Sequence, residues 1–600
     1  MTGAGDGGPP RPHDHDTPPD SEGHGTGTIV PGSYVDNARG NDATTTASYD
    51  APAKLMARAI ALFPENATTP ILMLKAGQNH PARDIAQGTG QQFGSYGLSG
   101  YPRRVSSYGS HALPPLIDAR QDLSGKTWTR VSGTAWETEA TLLTKPVFSY
   151  IETANGSKFM LYLDDGPHDP APAGKSLTWR TNNADVAAND ASVIAHRGSF
   201  GINIVGRTDG DIRLSGSASK SVRLIVNLPD GSNPNGKALK LCDAGGGALF
   251  YGGDHGHLRI IGGSTKDNVA FGTMGPTGAF PTFQSVEVIE PPCHGGVGPR
   301  IVIGTFKAHG RPIEGESAHA RGRTFGGGYH VFTGNDYTER DMWAGRIDVA
   351  NFTIGDYAHG GGNSGYRRDI QYGRSLITNC TTGIQRDGGP APGVGFVVEG
   401  LYRYGGVDIV GGSQAFLMGD ERVWEIHGGS FTPDNQAAVA VVFLGGSGNK
   451  FLLKDFVIDA SAVSTVAPIF NTRTLYLWRP YYGTSGHAPP TLVLDNVQDV
   501  TRIDADTFKC TMYADSSSYP DASRAHLELR NGTTLGDLWT FPHWNSYPES
   551  LITEAGTTIG FGGKTRAQVA AAMAALGRHC SIDPGTKMVD HAGMVVDAPA

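Results

Sequence analysis

The stretch that decides the fold is 33–78. It opens with SYVDNARGND (33–42), passes through DAPAKLMARAIALF (50–63) and ends on ILMLKAGQ (71–78). The middle piece has helical periodicity. Asp50 suits an N-cap, and Pro52 falls in the first turn, where a missing N–H costs little. Leu55, Ala59 and Leu62 share one face at i, i+4 and i+7, and Met56, Ile60 and Phe63 repeat that spacing one residue on. Lys54 and Arg58 lie on the polar side. ILML (71–74) is then a short apolar strand. One amphipathic helix followed by strands is the predicted start of the ordered chain.

Downstream, short β-rich runs recur at 202–205, 212–214, 222–226, 258–261, 286–289, 301–303, 347–354, 376–378, 397–398, 407–410, 424–426, 451–458 and 492–497, separated by Gly, Asn or Asp. Some equivalent-looking positions are about one coil apart. Ile354 to Ile377 is 23 residues, Ile377 to Val398 is 21, and Leu453 to Leu494 is 41, read as two coils. That lies at the short end of structural repeats, roughly 20–45 residues. A β-sandwich would instead show strict polar/apolar alternation over longer strands.

Composition agrees. The 600 residues include 84 glycines, about twice the usual share of roughly 7%. Each glycine inside a helix costs roughly 1 kcal/mol, which excludes a helical bundle. No G-X-Y period is present, which excludes collagen. The net charge of −9 argues against nucleic acid as the main partner. No run approaches 18 apolar residues, so no membrane span is predicted. The five cysteines (242, 293, 380, 510, 580) are odd in number and widely spaced, and are read as buried thiols.

Several of these segments carry a resemblance. Tyr34–Val35–Asp36 with Gly40–Asn41–Asp42, the helix and ILMLKAGQ resemble the opening of right-handed parallel β-helix proteins, in which a strand and turn precede a cap helix and a first rung. FGSYG (93–97), SYGS (107–110) and PPLI (114–117) resemble a later rung of that group. WTRVSGTAW (128–136) and FMLYL (159–163) resemble its β-hairpin insertion. The likeness covers roughly 33–205. It occurs in phage tail spikes and in bacterial polysaccharide lyases, hydrolases and epimerases. It implies an all-β, pectate-lyase-like solenoid with an N-terminal cap helix, a groove suited to an extended glycan, and a homotrimer.

The domain reading follows. Residues 1–32 are a flexible segment, suited to attachment to a virion tail. The His13–Asp14–His15–Asp16 cluster within it is read as a solvated tail rather than a metal site. Residues 33–125 hold the cap helix and first rungs, 126–195 the hairpin insertion and 196–505 the main β-helix. Residues 506–600 are a small C-terminal module, in which Thr565–Arg–Ala–Gln568 is a capping box and Gly577 a helix stop. Residues 1–31 have no apolar core segment, so no export signal is predicted.

The richest polar segment is 307–346, read as a loop insertion with one strand core at 329–332. Long loops on rigid scaffolds commonly carry binding residues. Glu314 and Glu316 would share one face of an extended strand, about 7 Å apart. That falls within the roughly 6.5–9.5 Å separation of inverting glycosidases. Asp336, Glu339 and Asp341 form a second candidate carboxylate set. His309, Arg311, His319, Arg321 and Arg323 suit either binding of an acidic glycan or proton abstraction from a uronate. Trp343 and a second polar block with Tyr357, His359 and Arg367 suit sugar recognition. Asp254–His255–Gly256–His257 has two of the ligands a metal needs and no third. No cofactor and no metal are expected.

Three functions stay open. A tail-spike-like protein of the virion would bind and depolymerise a bacterial surface polysaccharide, hydrolysis being preferred over elimination. A secreted lyase or epimerase would act outside the cell. A non-catalytic virion protein would only bind glycan.

Overall fold

The computed structural model describes residues 32–62, 71–82, 92–93, 104–118, 120–132, 135–142, 150–152, 158–163, 178–180, 193–197, 203–207, 220–227, 233–242, 248–250, 254–261, 271–273, 282–291, 295, 302–310, 324–333, 342–360, 368–387, 400–418, 423–434, 440–444, 450–459, 461, 475–477, 491–500, 512–514, 526–537, 548–590 and 593–599. The chain is all-β, with long stacks of parallel strands and, among the described residues, two short helices. It divides into two compact units, Met1–His330 and Val331–Ala600.

In the first unit, Ser33–Val35, Ile71–Lys75 and Arg104–Tyr108 pair in parallel. Tyr34, Tyr49 and Tyr108 pack edge to face behind them, with centroids 5.0–6.0 Å apart. The helix spans only Met56–Ala61, with Leu55 at its N-cap. It is therefore shorter than the 50–63 expected, and Asp50 does not cap it. Asp42 acts instead: its Oδ1 accepts from the backbone N–H groups of Lys54 and Leu55. A carboxylate distant in sequence holds the chain as it enters the helix, and the Ala53 N–H, which an N-cap at Asp50 would have bound, donates to the Tyr34 carbonyl.

Further on, Asn79–Pro81, Leu116–Asp118, Asp254–Ile261, Thr282–Ile289 and Val302–His309 stack in parallel register. Between Leu116–Asp118 and Asp254–Ile261 the chain makes an antiparallel sheet from strands lying between Gln121 and Cys242. The stack resumes in register beyond it, Ile117 opposite Ile260. A knot of charge ties the sheet to the stack. Asp118 binds Arg120 at 2.8 Å and Lys240 at 2.7 Å, and Arg120 reaches Glu152 at 2.6 Å. Burial acts to raise the Asp118 pKa, but the Arg120 guanidinium and Lys240 ammonium outweigh it and hold the carboxyl below its usual range.

In the second unit, successive strands alternate between two parallel sheets. Met342–Ala350, Arg368–Thr378, Gly400–Val410, Val423–Thr432, Lys450–Ile458 and Thr491–Asp495 belong to one. Phe352–Gly360, Thr382–Asp387, Gln414–Met418 and Ala440–Leu444 belong to the other. Each coil thus supplies one strand to each sheet. Inward residues form apolar columns one rung apart: Tyr402, Trp424, Phe451, Leu492, Leu527 and Leu551 in one, and Ile377, Ile409, Phe431 and Ile458 in another. All are buried, and each apolar side chain so removed from water contributes about 1.5–3 kcal/mol. Tyr402 and Trp424 stack at 3.8 Å between centroids.

The coil length is not constant. Ile409 pairs with Phe431, and Leu453 with Leu494, an interval nearly twice as long. The longer interval is one coil, not the two expected, because chain outside the strands absorbs the difference at little cost in closure entropy. The corners are built from specific residues. Asn351 and Asn379 adopt φ of 65° and 52°, and the Asn379 side-chain amide donates to Asn351 Oδ1 at 2.7 Å. A second corner is a column of glycines. A Cβ on Gly373 would lie 2.1 Å from the Gly345 carbonyl oxygen, and one on Gly405 would lie 2.7 Å from that of Gly373.

Parallel pairing runs on past residue 505, through His526–Arg530, Ser550–Thr553 and His579–Ile582. Lys587–Val589 then pairs antiparallel with Val595–Asp597. The second helix, Arg566–Ala575, begins with the expected capping box at Thr565 and Gln568, and Gly577 follows it at φ 69°. Thr565→Ala should lower the stability of this end by about 1 kcal/mol. Hydrogen exchange confined to 566–576 checks it; unchanged protection there refutes it. Among the described residues, Cys380 is a buried thiol outside any disulfide and Cys580 a half-buried one. No helix among them is long and apolar enough to cross a membrane.

Candidate functional site

Outward side chains of the second unit's main sheet form in-register columns. The most varied runs Trp343, Gln371, Arg403, Glu425. Adjacent members stand one strand spacing apart, about 4.8 Å, so Trp343 to Glu425 covers roughly 14 Å. Gln371 and Arg403 are exposed, and Trp343 and Glu425 half-buried. The alternation that buries Trp424 and Ile426 is what turns Glu425 and His427 outward.

Glu425 is the hub. Its Oε2 accepts from Arg403 Nε at 2.9 Å, pairs with Arg403 Nη2 at 2.9 Å and lies 3.3 Å from His427 Nε2. Burial acts to raise its pKa, yet the hydrogen bonds from Arg403 and His427 prevail and hold it below the usual glutamate range. Beyond the glycine corner is a second polar strip. There Arg374 donates to Asp408 at 2.8 Å, Ser430 to the other Asp408 oxygen at 3.0 Å, and Arg346 pairs with Asp348 at 2.9 Å. An aromatic ring, an amide and paired charges along one line can meet the apolar faces, hydroxyls and acid groups of an extended ligand.

The first unit presents a smaller face of the same kind. Arg259, Glu287 and Lys307 are in register on adjacent strands. Arg259 binds Glu287 at 2.8 Å, and His309 Nε2 lies 3.8 Å from the other Glu287 oxygen.

The expected site residues separate into three groups. Trp343 and His309 lie on outward faces as described. Tyr357 is buried at 3% exposure inside its sheet, so its ring has no face to offer a sugar. The apolar neighbours of a parallel stack claimed it, as they claimed Tyr372. His359 lies on the strand Phe352–Gly360, of whose last residues only the backbone is described. Glu314, Glu316, Asp336, Glu339, Asp341, Arg311, His319, Arg321, Arg323 and Arg367 lie outside the described residues, as does the segment 1–31.

Segment 307–346 holds more strand than expected. Val302–His309, Thr324–Thr333 and Met342–Ala350 all enter it. The His255–Gly256–His257 pair is otherwise engaged: His255 Nδ1 accepts from the Val105 N–H and its ring stacks on Phe283, while His257 Nδ1 lies 2.7 Å from Ser285 Oγ. Among the described residues no group of three or more His, Cys, Asp or Glu is placed to hold a metal ion.

Arg403, Glu425, His427 and Asp408 were missed by sequence reasoning, which looked for density of polar residues. Their signal is alternation: VWEIH (423–427) and LYRY (401–404) place a polar residue between buried apolar ones.

No family model matches the sequence, and no curated protein matches it. Among solved structures, the chain is similar to one described as "The complex structure of XylC with xylose". The identity is 9%, the match covers 79% of this chain and 86% of that one, and the TM-score is 0.37.

Proposed function

We propose that this chain is a right-handed parallel β-helix of the tail-spike kind, which binds a bacterial surface polysaccharide along the outer face of its second unit and depolymerises it. The observation that carries the binding is the Trp343–Gln371–Arg403–Glu425 column. A repeating ligand is met by a repeating surface, and successive rungs offer successive contacts. Cleavage rests on the candidate carboxylates of 307–346. The carboxylates described on the face itself, Glu425, Asp408 and Asp348, are held in ion pairs. That favours a second reading, a glycan-binding virion protein without activity. Assembly as a homotrimer and a place on a virion tail belong to the proposal too, and a monomeric mass by light scattering would count against the first.

The test is incubation with host capsule or lipopolysaccharide. New reducing ends without ultraviolet absorbance of an unsaturated uronate mean hydrolysis. Absorbance with new ends means elimination. Retention in an affinity gel without product means binding alone. Trp343→Ala and Arg403→Ala should each weaken retention about tenfold, the equivalent of about 1.4 kcal/mol. Full retention by both variants would remove this face from the ligand path.

A further inference from the structure

We propose that the outer face of the first unit is a subsite for the carboxylate of an acidic sugar. It rests on the glycan-binding reading and adds the substrate class, a uronate-containing polymer.

Three adjacent parallel strands present a grid of outward residues. His257 and Arg259 stand on Asp254–Ile261; Ser285, Glu287 and Ile289 on Thr282–Ile289; Thr305, Lys307 and His309 on Val302–His309, while Ile261 at the end of the first strand is buried. The register holds each trio in line, so Arg259 and Lys307 flank Glu287 from the rungs on either side, roughly 4.8 Å from it. Two fixed cations therefore face one carboxylate. Arg259 is committed to one Glu287 oxygen at 2.8 Å. Lys307 is exposed, and His309, also exposed, lies two residues on along the same outer face of the strand.

The middle of the grid supplies orientation. Arg259 and Glu287 are only 21% and 31% exposed, so each is held against the sheet rather than extended into water. Ser285 and Thr305 set hydroxyls beside the charges, and Ile289 sets an apolar surface beside them. His257 is half-buried, and its Nε2 has no hydrogen-bond partner while Nδ1 faces Ser285. That Nε2 is buried, and burial lowers the ring's pKa, so a neutral imidazole stands beside Ser285. A sugar carboxylate bridging Lys307 and His309 balances the surplus cation, and its hydroxyls meet Ser285 and Thr305. A neutral sugar would leave that charge unanswered.

The probe is glucuronate, with glucose and sodium chloride at matched ionic strength as comparisons. The reading is the rate of Lys307 acetylation by mass spectrometry in the full chain, with exposed Lys237 as reference. At a glucuronate concentration about twice Kd, two-thirds of sites fill and Lys307 labelling should slow about threefold, with Lys237 unchanged. Glu287→Gln removes the anion between Arg259 and Lys307 and should strengthen protection, an effect a merely structural cluster would not give. Equal labelling of Lys307 in glucuronate and in salt overturns the proposal, as does weaker or unchanged protection in Glu287→Gln. If Lys307 is not protected while Trp343-dependent retention of polysaccharide persists, this subsite fails and the wider reading stands. If Lys307 is protected and no polysaccharide is retained, the wider reading fails and the acid site stands.

Discussion

Gly429→Ala is expected to destabilise the second unit by more than about 3 kcal/mol. Gly429 has φ 121°, a conformation that residues with a Cβ rarely adopt. An added Cβ would lie 1.9 Å from the Val407 carbonyl oxygen, 2.5 Å from its carbon and 2.8 Å from its nitrogen. All three atoms are backbone of the neighbouring rung, so no side chain can swing away. Relief means parting Gly400–Val410 from Val423–Thr432, between inward columns that include Val407, Ile409 and Phe431. Gly556→Ala separates the two causes. It too has positive φ, 81°, but nothing lies within 4 Å of its Cβ position. It should cost only about 1–2 kcal/mol, the penalty of the left-handed backbone alone. The check is hydrogen exchange across 400–432 and 550–560 in both variants. Similar losses in the two would mean that close approach of rungs is not what Gly429 serves.

The same glycines explain how much of the fold was legible. The glycine excess, the short apolar runs and the SYVDNARGND and ILMLKAGQ segments point correctly to an all-β stack of parallel strands. The register was not read, although the sequence carries its key. Tyr372–Gly373–Arg374, Tyr404–Gly405–Gly406 and Ile426–His427–Gly428–Gly429 are one corner repeated, and the pairings put Tyr372, Tyr404 and Ile426 on successive rungs. Aligning on those glycines sets Gln371, Arg403 and Glu425 in one outward column. Spacing failed because the coils differ in length, Leu453 to Leu494 being nearly twice Ile409 to Phe431. A search for apolar residues at fixed intervals cannot see a period kept by corners.

The site was less legible for a related reason. Charge density in sequence marks turns as readily as surfaces, and it drew the eye to Tyr357, which the stack buries. Arg403, Glu425 and His427 sit singly among apolar residues and become a cluster only through register. The same holds for Arg259, Glu287 and Lys307, which are well separated in sequence and adjacent in space. Trp343 was singled out because an aromatic beside polar residues is conspicuous without any register.

Asp118→Asn is expected to cost about 3–5 kcal/mol, because it removes the shared anion of a buried ion cluster and leaves cations behind. Asp118 is 4% exposed and takes Arg120 on both oxygens, Lys240 on one, and the Asn79 amide at 2.9 Å. Arg120 is itself 6% exposed in its side chain, and its remaining carboxylate would be Glu152. The damage should be local, at the junction where the antiparallel sheet leaves and rejoins the parallel rungs. It is best read as lost hydrogen-exchange protection in 116–122 and 240–242. The pH dependence follows from the depressed pKa. A carboxyl whose folded pKa lies below its unfolded value, about 3.9, contributes its full stabilisation above that value and loses it as pH falls toward the folded pKa. Wild type and Asp118→Asn should therefore differ most near neutral pH, and the gap should narrow as pH drops below about 4. Asp118→Glu keeps the charge but lengthens the arm, and should recover part of the loss if charge is what matters. A gap that stays constant from neutral to acidic pH would show that Asn fails for reasons of packing, and that the ion cluster is not what fastens the sheet to the stack.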